Sequence, residues 1–265
     1  MEKRKTGWDE WCVKRFSIQT GCPYNCRYCF AREMAVRFGR VASANDWVRP
    51  ILKEKELSRK WTKHEGVLGF PGTHDITPEN IHECAGYLFK ILAAENRVLI
   101  VTKPSSVCIQ YLCRYLSKWQ GHVEFRFTIG SLDDEIIHYW EPGAPDPDER
   151  QRAMQCAVGQ GFKVSVSMEP FLDAADVAEV TARQLRAAGA ATVWIGKMND
   201  PRRRVICANS KEKERLDQLI RNQADVHILS LVRNLRGEPW VRWKDSIRDV
   251  GRRDELPELG IGDKE

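Results

Sequence analysis

Three cysteines lie within eight residues in the stretch Gly21-Cys22-Pro23-Tyr24-Asn25-Cys26-Arg27-Tyr28-Cys29-Phe30, around which the rest of the sequence is organised. Thiols at spacings of four and three residues can converge on one side of a loop and bind a metal group. A structural zinc site uses four protein ligands. Cys12 lies ten residues upstream of this loop, and His64 and His74 lie far downstream, so no fourth ligand is obvious.

Strand-like segments alternate with helical patterns on both sides of this loop. The predicted strands are 16–18, 66–70, 97–102, 123–129, 162–168 and 191–195, with a further candidate at 226–231. The predicted helices are 29–38, 51–61, 77–92, 105–116, 146–159, 174–188 and 210–222. About six strand–helix units imply parallel pairing through right-handed crossovers. The sequence therefore predicts an α/β protein, an incomplete (β/α)6 barrel with a basic C-terminal extension.

Composition excludes several classes of protein. The chain has 265 residues, of which 42% are hydrophobic and 30% charged, which is unlike a membrane protein, a collagen or a disordered tail. The basic start, 1–5, has no apolar stretch after it, so we expect no signal peptide and a cytoplasmic location. Nine cysteines, an odd number, argue against a disulfide framework. No G-x-G-x-x-G follows a strand, which weakens a dinucleotide-binding interpretation.

The arrangement C-x3-C-x2-C just after the first strand resembles that of the radical S-adenosylmethionine (SAM) superfamily. The resemblance implies that Cys22, Cys26 and Cys29 hold one 4Fe-4S cluster with one iron open to SAM. In that superfamily an electron from the cluster cleaves SAM to methionine and a 5′-deoxyadenosyl radical, which abstracts a hydrogen atom from the substrate. Tyr28 matches the aromatic position before the third cysteine.

Four more segments are similar to the spore photoproduct lyase group, often labelled DNA repair photolyase-like. They are 70–76, 101–105, 127–131 and 140–145, and with the cysteine loop they cover roughly residues 14 to 200. The resemblance implies a radical SAM partial barrel and a lyase or modifying enzyme that acts on nucleic acid, as in DNA repair.

The same resemblance implies a cofactor-binding set at the ends of the strands. Lys103 would bind the carboxylate of SAM, as a point charge suited to that group. His74 falls where the lyase has a serine near SAM, and Thr128 or Ser131 falls near another. Glu169 ends the fifth predicted strand and could orient substrate or ribose, or cap a turn. Thr73 and Tyr28 complete the set.

Two positions depart from the lyase pattern. Gly72 stands where the lyase has the cysteine that returns a hydrogen atom to the substrate radical. Phe30 replaces a second tyrosine after the third cluster cysteine. The radical-generating residues are therefore retained and the return path is not, so the catalytic residues beyond the cluster stay unassigned. We expect a substrate other than the spore photoproduct itself.

Both ends of the chain are basic and the middle is acidic, a pattern that suits a polyanionic partner and also an ordinary solvated surface. Near the C-terminus arginines are interleaved with tryptophans, which can hold phosphates and stack on bases. The expected nucleic-acid contacts are Arg202, Arg203, Arg236, Trp240 and Arg242. Alternatively the tryptophans, including Trp8 and Trp11 near the start, plug the open ends of the barrel.

The chain divides, on this interpretation, into a partial barrel with its N-terminal lead-in (1–205) and a C-terminal helix with a basic and aromatic extension packed on the barrel (206–265). The leading hypothesis is a radical SAM enzyme acting on nucleic acid, with an electron donor such as a flavodoxin or ferredoxin and no membrane partner. A second keeps the radical chemistry but acts on a peptide, a partner protein or a small metabolite. A third is a non-catalytic, zinc-stabilised binding protein.

Overall fold

A computed structural model describes residues 6–253; the basic start at 1–5 and the acidic tail at 254–265 lie outside the described residues. The strands are β1 (Lys14–Arg15), β2 (Gln19–Thr20), β3 (Ile51–Leu52), β4 (Val67–Phe70), β5 (Arg97–Thr102), β6 (Val123–Thr128), β7 (Lys163–Met168), β8 (Val193–Ile195) and β9 (Val241–Trp243). The helices are α1 (Phe30–Arg37), α2 (Glu54–Leu57), α3 (Ile81–Ala93), α4 (Ser106–Tyr115), α5 (Asp134–Trp140), α6 (Pro147–Gly159), α7 (Ala175–Ala187), α8 (Pro201–Arg204), α9 (Ser210–Asn222), α10 (Asp225–Leu235) and α11 (Asp245–Arg253).

Seven strands form one sheet in the order β1-β4-β5-β6-β7-β8-β9, and every neighbouring pair is parallel. The edge strands β1 and β9 do not pair with each other, so the sheet is an open barrel, and the predicted fold class is confirmed. The sheet has one strand more than the six predicted units. The additional strand, β9, is only three residues long, too short for an alternating pattern to be detected.

The central strands share one hydrophobic core with α3, α4, α6, α7, α10 and α11, and α1, α5 and α9 pack in a second buried cluster with the cysteine loop. Phe125, Phe127 and Val166 are fully buried on neighbouring strands, and α3 adds Leu88 and Ile91 from its apolar face. Burying such side chains stabilises the fold by about 1.5–3 kcal/mol each relative to leaving them exposed. Because the strands run parallel, all their carboxyl ends lie at one end of the barrel, where the chemistry of such folds occurs.

The structure corrects several predicted elements. The candidate strand at 226–231 is wrong: this segment belongs to α10, whose buried residues Ile228, Leu231, Val232 and Leu235 have the i, i+3, i+4, i+7 spacing of a helix. The helix predicted at 51–61 shrinks to α2, because 51–52 pairs with β2 instead.

Smaller differences concern where elements begin. The helix predicted from Thr77 begins at Ile81, because Asn80 accepts a hydrogen bond from the Thr77 amide and holds a turn there. Residues 16–18, predicted as a strand, are not part of a strand and lie between β1 and β2. The cap predicted at Asp146 is confirmed, since its carboxylate accepts from the Glu149 amide at 2.6 Å and opens α6. Helix α5 was not predicted.

The segment before β1 packs into the barrel. A side chain on Gly69 would lie 2.7 Å from the Trp8 ring, so the absence of a Cβ makes room for this tryptophan. Trp11 packs edge-on against Trp194 of β8 at 5.8 Å, and the Arg126 guanidinium of β6 lies 4.8 Å from the Trp11 ring. Trp8 and Trp11 therefore fill the barrel, the second of the two roles considered for them.

Residues after 205 complete the same sheet through β9. Lys244, which follows β9, is fully buried and pairs with Glu10 of the N-terminal segment, and its ammonium also donates to the Gly7 carbonyl at 2.7 Å. This contact joins the two ends of the described chain. None of the helices within residues 6–253 combines the length and apolar character required to cross a bilayer.

Candidate functional site

A cavity of about 560 Å³ opens at the carboxyl ends of the strands. That volume is in the usual range for small-molecule sites. Its walls come from the cysteine loop, the N-terminal segment, the last residue of β6 and the residues that follow β4, β5, β7 and β8. Six of the seven residues predicted to bind cofactor line it: Thr73, His74, Tyr28, Lys103, Thr128 and Glu169.

Cys22, Cys26 and Cys29 all line this cavity. Cys29 is the N-cap of α1, and its sulfur accepts a hydrogen bond from the Arg32 amide at 3.4 Å, a position that favours negative charge. Burial raises the pKa of Cys26 to about 12, with the Lys103 charge as a smaller opposing effect. These thiols are therefore protonated until a metal group displaces their protons.

The cysteine loop is held against the segment between α5 and α6. The Arg27 amide donates to the Trp140 carbonyl at 2.8 Å, and the Gly143 amide donates to the Tyr24 carbonyl at 3.1 Å. A Cβ on Gly143 would lie 2.7 Å from the Pro23 carbonyl oxygen, so glycine allows the two backbones to approach. The segment 140–145, noted in the sequence for its resemblance, thus has a direct structural role.

Tyr28, Glu141 and Arg150 form a buried network behind the loop. The Tyr28 hydroxyl donates a short hydrogen bond to Glu141, and Arg150 pairs with the other oxygen of the same carboxylate at 2.5 Å. Neither member of the Arg150–Glu141 pair has an exposed side chain. Burial, and then the Glu141 charge, raises the pKa of Tyr28 well above its usual value, so its hydroxyl stays protonated.

Lys103 projects into the cavity beside Asp75. Its Nζ lies 3.6 Å from one Asp75 carboxylate oxygen, while its backbone amide donates to the other at 2.6 Å. Burial acts to lower the pKa of Lys103, but neighbouring charges, Asp75 first, outweigh it and the net pKa is raised. The ammonium is therefore charged. The same Asp75 carboxylate lies 3.8 Å from the Cys22 sulfur.

His74 and Thr73 lie on the loop after β4. The Nε2 atom of His74 accepts from the Ile18 amide at 3.3 Å, which leaves Nδ1 to donate to the Asp75 carbonyl at 3.0 Å. Burial lowers the pKa of His74 to about 4, so its ring is neutral at pH 7. The Thr73 hydroxyl donates to the Ser17 hydroxyl at 2.9 Å. Both side chains fix the loop shape.

Glu169 lines the cavity, and the fully buried Lys244 lies beside it. Lys244 approaches Glu169 at 3.4 Å and contacts Glu10 on its other side. Burial raises the pKa of Glu169, and the Lys244 charge opposes this. A Cβ on Gly196 would lie 2.9 Å from Glu169 and 3.0 Å from Lys244, so this glycine leaves space for both.

Ser131 does not line the cavity. It is fully buried, donates to Asp173 at 3.1 Å and accepts from the Asp133 amide at 2.9 Å. Its hydroxyl thus stabilises the turn before α5. The cavity also contains residues that the sequence reasoning did not select: Asp75, Ser167, Lys197, Asn199 and Arg204. Of these, Asp75 lies within the segment 70–76, whose resemblance was noted.

The residues expected to bind nucleic acid are not brought together. Trp240 is buried in the core and its indole donates to Glu238 at 2.8 Å, so its ring is not available to stack on a base. Arg242 donates to the Pro239 carbonyl at 2.6 Å, and Arg236 is exposed at the end of α10. These three residues lie at or before β9, away from its carboxyl end.

Three consecutive arginines in α8 differ in their partners. Arg202 pairs with Asp217 at 2.8 Å, and Arg203 pairs with Glu33 at 3.2 Å and Asp200 at 3.1 Å. Arg204 lines the cavity with its guanidinium 4.9 Å from the Phe30 ring. Burial lowers the pKa of Arg204.

The cysteine loop suits a cluster in its ligand type. Within residues 6–253 no three His, Cys, Asp or Glu side chains are gathered as ligands of one metal ion. A cluster does not require this, because each thiolate binds a different iron. The three cysteines that line the cavity provide suitable donors for the cluster. The Lys103 ammonium beside them provides a positive charge that balances their thiolates.

No family model matches the sequence. A search of curated proteins finds the uncharacterized protein ORF301 of Acidianus two-tailed virus, 28% identical over 174 residues. That alignment covers 62% of this chain and 56% of the viral protein, so the chain matches little more than half the length of this relative.

Solved structures of spore photoproduct lyase have a similar fold. A tyrosine-to-phenylalanine variant of that lyase has a TM-score of 0.51 and 17% identity, over 86% of this chain and 75% of the lyase. A variant with bound AdoMet and dinucleoside spore photoproduct has a TM-score of 0.47 and 17% identity, over 77% of this chain and 60% of the lyase. The first of these likenesses shows that the chain has the open-barrel fold of spore photoproduct lyase, so its resemblance to that radical SAM enzyme is confirmed at the level of the fold.

Proposed function

We propose that this protein is a radical SAM enzyme that cleaves SAM reductively and abstracts hydrogen from a nucleic-acid substrate. The observation that carries the proposal is a cavity at the strand ends that is lined by all three loop cysteines and by Lys103. When bound, a 4Fe-4S cluster supplies the electron that cleaves SAM.

The residues of the chain have separate roles in this proposal. Cys22, Cys26 and Cys29 hold the cluster, and the Tyr28–Glu141 hydrogen bond fixes the loop that carries them. Lys103 provides a charged donor for the SAM carboxylate. Glu169, which lines the cavity beside Lys244, is the expected acceptor for hydroxyl groups of SAM or substrate.

Two considerations support a nucleic-acid substrate. The lyase that shares this fold has been solved with a dinucleoside photoproduct. The cavity is also lined by Arg15 and by Arg204 of α8, and cationic side chains provide most of the affinity for phosphate backbones. An electron donor such as a flavodoxin or ferredoxin completes the proposed system.

Gly72 distinguishes the proposed reaction from that of the lyase. It lines the cavity, and a Cβ at this position would lie 3.2 Å from the Arg15 side chain. The only cysteines among the described residues that line this cavity are the three of the loop. A thiol that returns hydrogen is therefore not available there, and we propose a substrate other than the spore photoproduct.

Anaerobic turnover tests the proposal. The purified protein would be reduced with SAM present, with and without single-stranded DNA, and 5′-deoxyadenosine would be quantified. We expect 5′-deoxyadenosine, formed faster with DNA. A protein with a full cluster that forms none would refute the enzymology, and metal analysis that finds one zinc and no sulfide would support the binding-protein alternative.

A further inference from the structure

Two arginines at the cavity form no salt bridge with a carboxylate among residues 6–253. Of the four cationic side chains that line it, Lys103 pairs with Asp75 and Lys197 lies 3.5 Å from Asp225. Arg15 and Arg204 form no salt bridge and no side-chain hydrogen bond within this part of the chain. The Nε atom of Arg204 is buried and unpartnered.

Each of these two guanidinium groups lies over an aromatic ring that also lines the cavity. Arg204 is 4.9 Å from the Phe30 ring centre, and Arg15 is 6.0 Å from the Trp8 ring centre. Such contacts orient a guanidinium and leave its N–H edges available. A planar fork of donors held in this way matches the oxygens of a phosphate.

Arg204 differs from its two neighbours in this respect. Arg202 and Arg203 are exposed and already paired with carboxylates, whereas Arg204 is partly buried beside the cavity and pairs with none in the described chain. Asp200, Glu33 and Glu169 attract the charge of Arg204 without forming a salt bridge to it among the described residues, and its buried Nε–H group has no acceptor there. The three arginines are consecutive in the sequence, and the structure gives them different surroundings.

We propose that Arg15 and Arg204 bind phosphate groups of the nucleic-acid strand whose base enters the cavity. This inference rests on the proposed function and adds to it the residues that recognise the backbone. Arg15 is the last residue of β1, which forms one edge of the sheet. Arg204 lies in α8, which follows β8, the strand next to the opposite edge. The two arginines therefore approach the cavity from different parts of the barrel.

The test is the salt dependence of DNA binding by the anaerobic, cluster-loaded protein. The probe is a fluorescent single-stranded DNA of about ten nucleotides, within the span that such sites cover. Each phosphate contact contributes about 0.7 to the slope of log affinity against log salt for single strands. We expect Arg15→Gln and Arg204→Gln each to reduce the slope by about that amount, and the double variant by about twice it.

Arg202→Gln is the matched control, because it removes the same charge from the same short helix at a residue that does not line the cavity. It should alter the slope far less than Arg204→Gln. Arg204→Lys should restore the slope, since it keeps the charge. Because Arg15 is exposed, Arg15→Gln gives a result even if loss of Arg204 disturbs folding.

A second strand with uncharged methylphosphonate linkages checks the chemistry. This strand should bind the unchanged protein weakly. Its affinity for Arg204→Gln should be equal to its affinity for the unchanged protein. Equal slopes in all variants, an equal loss in Arg202→Gln, or binding of the unchanged protein that ignores salt would each overturn the inference. Failure of the proposed function would instead appear as no 5′-deoxyadenosine from the unchanged protein, which is a separate measurement.

Discussion

The carboxylate of Asp75 holds Lys103 by both its backbone and its side chain, with one oxygen 2.6 Å from the amide and the other 3.6 Å from Nζ. Thr102 adds a hydroxyl donor to the same carboxylate at 3.0 Å. The lysine is thus fixed in direction at the end of β5 while its ammonium remains in the cavity. A second carboxylate, such as that of SAM, could share this ammonium, which has three donors.

Lys103→Ala should weaken SAM binding and leave the cluster in place. A hydrogen bond to a charged group contributes about 1.5–3 kcal/mol, so we expect affinity to fall about 10- to 150-fold. Equilibrium binding of SAM to the anaerobic protein, together with iron analysis, measures both effects. Lys63→Ala is the control, since Lys63 is exposed and pairs only with Glu95. Equal affinity in the two variants would remove Lys103 from the site.

Glu141→Gln should destabilise the protein strongly. It leaves the buried Arg150 guanidinium without its charge partner, which costs about 3–5 kcal/mol for a buried pair. Glu135→Gln changes an exposed pair with Arg215 and should cost less than about 1 kcal/mol. Urea unfolding measures both. Similar losses in the two variants would contradict the role assigned to the network behind Tyr28.

Gly143→Ala should lower the iron content of the purified protein. The added Cβ would meet the Pro23 carbonyl at 2.7 Å and displace the cysteine loop. Gly159→Ala, at the last residue of α6, meets nothing within 4 Å and should not destabilise the protein. Iron per chain and thermal unfolding distinguish them. Full iron loading in Gly143→Ala would show that the loop does not depend on this close approach.

His74 should make the fold less stable in acid. Its pKa falls from 6.5 to about 4 on folding, because burial disfavours the charged ring. Below pH 6.5 the unfolded chain therefore binds a proton that the folded chain does not, and stability is lost as the pH falls from 6.5 towards 4. The full effect is about 3 kcal/mol.

The comparison of His74→Gln with the unchanged protein isolates this effect. Glutamine retains a donor and an acceptor but does not titrate. The difference in unfolding free energy between the two proteins should shrink between pH 6.5 and 4. A difference that is constant over this range would show that His74 titrates normally in the folded state.

Much of the barrel could be predicted from sequence because its long strands have a clear apolar pattern. Strands such as β5, with Val98, Leu99 and Ile100 buried, fell where predicted. The segment that became α10 was misread because a short apolar run fits a strand or a helix, and only its burial at helical spacing decides. The two-residue strands β1 to β3 depend on pairing partners distant in the sequence, which no local pattern reveals.

Site residues that form a short motif could be identified from the sequence. Contacts between residues that are distant in the sequence could not. The three cysteines are a short motif, and the structure gathers them on one cavity. The residues of the network behind Tyr28, Glu141 and Arg150, lie more than a hundred residues away in the sequence. The sequence likewise could not show that Arg202 pairs with Asp217 while Arg204 lies over the Phe30 ring, because these contacts depend on the fold.

The central claim is that three loop sulfurs hold an iron cluster with one iron open to SAM. The most direct measurement is ⁵⁷Fe Mössbauer spectroscopy of the anaerobic protein with and without SAM, on the unchanged chain and on Cys26→Ala, with Cys156→Ala as the control at a partly exposed free thiol. We predict about four irons and four sulfides per chain, a single iron site that changes when SAM is added, and loss of the whole spectrum only in Cys26→Ala. A full cluster whose spectrum ignores SAM, or iron that survives the loss of Cys26, would contradict the claim.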